Sequence, residues 1–167
     1  MKFNAYHFVD KALRDGSPVP PDGETLKWTG ELIMCRSGLH ASRKPWQALE
    51  YAPGPTLCRV HCAGETINGD DKLVCRERTI IARIDATDIL RRYARACALD
   101  VAHLWDCPNV VMDYLNTGDD SKRDATRNAA WAARDAAWTA GNAAWAARAK
   151  QRRRFTRLVN DAFGGTP

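Results

Sequence analysis

Two stretches of this chain hold residue types that do chemistry at close spacing. Cys58-Arg59-Val60-His61-Cys62 sets two thiols and an imidazole within one short run. On a strand, alternate side chains face opposite sides, so Cys58 and Cys62 share one face and His61 takes the other. A tetrahedral zinc site would need a further ligand from afar. The expectation is no metal, with the cysteines reduced and buried as small apolar groups. The second stretch is Lys150-Gln151-Arg152-Arg153-Arg154-Phe155-Thr156-Arg157. Guanidinium groups pair with carboxylates and phosphates, and with an interleaved aromatic they also contact bases. A P-loop, a dinucleotide fingerprint, an HExxH helix and a nucleophile elbow are all absent from the sequence.

Upstream of the basic stretch lies a seven-residue repeat. Asn128 to Arg134, Asp135 to Gly141 and Asn142 to Arg148 follow one pattern, with Trp131, Trp138 and Trp145 at matching places. Heptad spacing on a helix stacks the tryptophans along one face. Arg134 and Arg148 edge that face. Tryptophan and arginine are enriched in interface hot spots. The candidate partner-binding residues are therefore Trp131, Arg134, Trp138, Trp145, Arg148, Arg152, Arg153, Arg154 and Arg157. The same tryptophans also suit a core or a seam between copies, which leaves a homo-oligomer through this helix open.

The elements that must position these residues fall into three parts. Residues 1–84 read as β-rich. Lys2 to Val9 is an early strand, and Leu26 to Trp28 with Glu31 to Cys35 reads as a hairpin. Gly38 to Ser42 is a short extended piece. Lys44 to Tyr51 is a short helix with Ser42 or Arg43 at its cap and Pro45 in its first turn. Four short strands follow, Thr56 to Cys62, Glu65 to Asn68, Lys72 to Arg76 and Thr79 to Ile84. Their separators include Ala63-Gly64 and Asn68-Gly69. Thr87 to Leu104 has helical periodicity, and Val110 to Leu115 reads as a second helix ended by Gly118. Residues 121–163 read as one long alanine-rich helix, with Ser121 to Asp124 spaced as a capping box. The expectation is an α+β protein: a small antiparallel β-rich N-terminal domain, then helices, then one long Ala/Trp-rich C-terminal helix. The domains are 1–118 and 119–167.

Of the 167 residues, 45% are hydrophobic and 27% charged, which is globular rather than disordered composition. No apolar run is long enough to span a membrane, and the first residues lack a secretory signal pattern. Residues 120–167 carry ten Lys/Arg against four Asp/Glu, whereas residues 1–119 carry fifteen against sixteen. The basic character therefore sits in the tail, which is expected to meet an anionic partner: an acidic protein surface, nucleic acid or anionic lipid.

Three stretches carry a resemblance. Cys35-Arg36-Ser37-Gly38-Leu39-His40-Ala41-Ser42, Tyr51 to Val60 and Gly69-Asp70-Asp71-Lys72-Leu73-Val74 together resemble an uncharacterised domain family of phage and prophage proteins. Members often end in repetitive tails, Ala/Trp-rich ones included. The resemblance implies a phage accessory protein acting in the cytoplasm of the bacterial host. Such a protein binds, and can inhibit, a host macromolecule such as a defence component, without catalysis and without a cofactor. A second resemblance is to ADP-ribosyltransferases, in the order of His7, Tyr51 and Glu65. It implies NAD as cofactor, with those three side chains around the nicotinamide ribose. In this chain His7 is followed by Phe8 rather than the Gly-Thr or Gly-Ser of that pattern.

Overall fold

In a computed structural model, the described residues are 2–132 and 147–165, without the side chains of 130–132. They form two compact units, 1–87 with 156–167, and 88–155.

The first unit is built on an antiparallel sheet. Strand β1 (Phe3–Val9) pairs with β4 (Thr56–Asn68), which pairs with β5 (Leu73–Asp85). The other side of β5 takes two short strands, β2 (Thr25–Lys27) and β3 (Leu39–Ala41). Just past β3, Ser42 exchanges both main-chain hydrogen bonds with Tyr6, at 2.7 and 2.9 Å. The path β1–β4–β5–β3 therefore returns to β1, and these strands run in a small ring. Its interior holds Ala5 and Val9 of β1, Ala41 of β3, Cys58, Val60 and Cys62 of β4, and Leu73, Cys75 and Ile80 of β5. Burying these apolar side chains, each removed almost wholly from water, drives the ring together.

Local sequence explains several elements. β1 is aromatic and β-branched, as strands favour. Helix α1 (Pro45–Leu49) begins with Pro45, whose missing N–H is no loss at a first turn. Its cap is Lys44, one or two residues later than expected. Two expectations fail. Glu31 to Cys35 is not a strand: β2 pairs with β5, and residues 31–37 form a loop closed by an Ile33–Ser37 bridge. The four short strands of 56–84 are two long ones. Gly64, at φ +76°, is not a turn but lies in a bulge between the Ala63↔Glu77 and Thr66↔Cys75 pairs. A second irregularity at Ile81 bends β5.

The second unit is helical. It contains all but the first residue of α2 (Thr87–Leu99), then α3 (Asn109–Thr117) and α4 (Arg123–Ala132). Gly118, at φ +69°, ends α3 with its N–H on the Tyr114 carbonyl, as the sequence predicted. Asp119, not Ser121, starts the next segment, its carboxylate accepting the Ser121 N–H. Helix α5 (Arg148–Ala162) begins in this unit and ends in the first. It buries Gln151, Phe155 and Val159 along one side. The stretch joining α4 to α5, including most of the tryptophan repeat, lies outside the described residues. Among the described residues no helix is long and apolar enough to cross a membrane.

Candidate functional site

The three stretches singled out in the sequence converge on one patch of the first unit. β3 lies beside β5 with His40 opposite Val74, which brings 35–42 against 69–75. The β4–β5 turn is closed by the Gly69 N–H on the Lys72 carbonyl at 2.8 Å. From α1, the Gln47 amide donates to the Asp70 carbonyl at 3.0 Å. The Tyr51 hydroxyl donates to the Asp71 carboxylate, and Lys72 Nζ sits 4.1 Å above the Tyr51 ring. The hydrogen bond to Asp71 raises the phenol pKa. Lys72 is likewise raised, first by the Cys35 thiol and then by Tyr51.

Cys35 stands out by its backbone. At φ +65° it is the one non-glycine residue in the left-handed region among the described residues. His40 holds it there: the Cys35 N–H donates to His40 Nε2 at 3.0 Å. Nε2 thus carries no proton, so Nδ1 bears the hydrogen and donates to the Gly38 carbonyl at 3.1 Å. Burial lowers the His40 pKa, keeping this neutral tautomer. Both ring nitrogens are used, so His40 positions the loop and is not a free base.

His7 faces the inside of the ring. It shares the inner face of β1 with Ala5 and Val9, and its register partner is Cys58. Its pKa is held well below the imidazole value by burial, with Arg78 and His40 adding to the effect. Tyr51 belongs to the surface patch. Glu65 is exposed at the β4 bulge and pairs with Arg76 at 2.8 Å. Roughly 20 Å of strand separates Glu65 from the residue opposite His7. Tyr51 thus makes its contacts in the surface patch and Glu65 at the bulge, while His7 faces inward toward Arg78 and His40.

The basic helix divides its cations. In the second unit, Lys150 and Arg154 both bind Asp100, at 2.9 Å each. That carboxylate is largely buried, and Arg154 first, then Lys150, hold its pKa down. Arg153 and Arg157, four residues apart on α5, are exposed, as is Arg148, while Arg152 is half-buried. Trp131 falls in α4. Arg134, Trp138 and Trp145 lie outside the described residues. Sequence reasoning missed Asp100, Gln47 and Arg78. Only Arg78 had a local signal, as a cation two residues from Ile80 on an inward-facing run. Cys58 and Cys62 do point into the core, with His61 on the opposite face.

No curated protein and no solved structure matches this chain. A family model described as "Domain of unknown function (DUF7666)" matches residues 3–92, more than half of the chain. The match starts at β1, takes in the whole ring of strands with the patch of Cys35, His40, Tyr51 and Lys72, and ends within α2. On that match the chain belongs to the family described as Domain of unknown function (DUF7666).

Proposed function

We propose that this is a phage or prophage accessory protein that binds an acidic protein of the bacterial host, in the host cytoplasm, and acts by occupying it rather than by catalysis. The observation that carries the reading is the division of cations on α5. Lys150 and Arg154 are spent on Asp100, whereas Arg153 and Arg157 face solvent opposite the buried Gln151, Phe155 and Val159. A cationic row that folding does not neutralise steers association toward negative surfaces. The tryptophan repeat, with Arg134 and Arg148, would extend the contact. The phage setting rests on the resemblance of 35–42, 51–60 and 69–74.

The test is capture from host lysate, with and without nuclease treatment, by wild type and by R153E/R157E. Both substituted residues are exposed, so the variant is expected to fold. One defined acidic protein retained by wild type and lost by the variant supports the reading. An identical set of captured proteins refutes it. Capture that vanishes with nuclease treatment makes nucleic acid the partner instead.

A further inference from the structure

Arg78 is only 5% exposed, yet no carboxylate pairs with it among the described residues. Its cross-strand partners are Cys62 on β4 and Leu26 on β2. Its one hydrogen bond among the described residues runs from Nη1 to the His40 carbonyl. A charge buried without a counter-ion is costly, and folded proteins normally pair or replace it. Burial indeed pulls the Arg78 pKa down.

The unused part of this guanidinium has a definite geometry. With Nη1 committed to His40, the free donors are Nε and Nη2. These lie along one edge of the planar group and form the fork that binds two oxygens of a carboxylate or phosphate at once. Arg59 offers a contrast. Its Nε and Nη2 are sealed from solvent without partners, with Phe163 stacked 4.5 Å away. The Arg78 fork likewise has no partner among the described residues. His7, half-buried on the inner face, and His40 are close enough to interact electrostatically with Arg78. Cys58 and Cys62 border the same cation, and burial keeps the Cys58 thiol protonated by raising its pKa to about 11. Cys75 faces the cation too, and Cys62 first, then Arg78, lower its thiol pKa against the effect of burial. A buried fork that no carboxylate meets among the described residues is what a small anion receptor needs.

We propose that the ring of strands holds a binding site for a small oxyanion, the carboxylate or phosphate end of a metabolite, gripped by Arg78 Nε and Nη2 with His7 beside it. This site is independent of the helix cations in the proposed host contact.

The experiment follows the ring NMR signals of His7 and His40 in the full chain. Inorganic phosphate and acetate are titrated separately to about 10 mM against sodium chloride at matched ionic strength, a range that reads millimolar affinity. A saturable shift of the His7 signals with phosphate or with acetate, absent with chloride, supports the site and says which oxyanion it takes. R78K keeps the charge but loses the fork, so half-saturation moves up about tenfold. R153E/R157E leaves the titration unchanged, which separates this site from the helix. If R78K does not fold, the wild-type comparison with chloride still decides. His7 signals that ignore both oxyanions overturn the proposal. So does a thiolate absorbance near neutral pH that C75A removes, because Cys75 would then supply the negative charge next to Arg78.

Discussion

Gly38 is where the patch is most sensitive to a single methyl group. Its φ is +104°, and a Cβ there would lie 2.4 Å from Val74 Cγ2 and 2.8 Å from Leu32 Cδ2. Two costs therefore add in G38A. An L-residue forced into that backbone region costs about 1–2 kcal/mol. Overpacking against two core side chains costs about 1–3 kcal/mol more. Reduced freedom of the unfolded chain returns about 0.4–1 kcal/mol. The expected loss is roughly 2–4 kcal/mol. Gly23 is the control: its φ is +87°, but a Cβ there meets nothing within 4 Å. G23A should show the backbone cost alone, about 1 kcal/mol after the same entropic return. Urea unfolding of wild type and both variants gives the two losses. The difference between them isolates the clash with Val74 and Leu32. If G38A and G23A fall within about 0.5 kcal/mol of each other, the steric part of the reasoning is wrong.

His7 and His40 both titrate below the ordinary imidazole value of 6.5 in the folded protein. The unfolded chain then binds more protons as pH falls through 6.5, so stability is complete above that value and is lost toward the folded pKa values. The urea midpoint should be lower at about pH 5.5 than at about pH 7.5, and H7Q should shrink the difference. Equal midpoints for wild type at the two pH values would contradict the buried, neutral assignment. Thiol reactivity offers a separate check. A disulfide reagent added to the native protein should modify exposed Cys35 fastest, while buried Cys58, Cys62 and Cys75 wait for unfolding. A fast phase that survives in C35S would place the reactive thiol elsewhere.

The elements that the sequence made legible are those whose cause is local. Phe3 to Val9 is a strand by its residue types. Pro45 marks a helix start by its fixed φ, and Gly118 marks a helix end by its positive φ. The turn at Asn68-Gly69 stands where its turn-forming residue types put it, although neither residue takes a positive φ. The inward facing of Cys58 and Cys62 needed only the two-residue period of a strand. Glu31 to Cys35 misled because its apolar run suits a strand, while its expected hairpin partner, β2, is paired with β5.

Position 64 illustrates the remaining difficulty. Glycine after alanine between two strand-like runs is equally compatible with a turn and with a bulge. Only the pairing of Ala63 with Glu77 and of Thr66 with Cys75 chooses the bulge and so fuses two short strands into one. Ring closure depends on Tyr6 meeting Ser42, thirty-six residues away, and no local pattern encodes that distance. The sequence by itself thus determined the β-rich front, the helical middle and the basic end of this protein. The tertiary structure alone decided which cations stay free. Arg153 and Arg154 are indistinguishable in a run of arginines, and Asp100 separates them by pairing with one. Arg78 looks like any charged residue of a half-exposed strand until the ring closes around it and leaves its fork without a partner among the described residues.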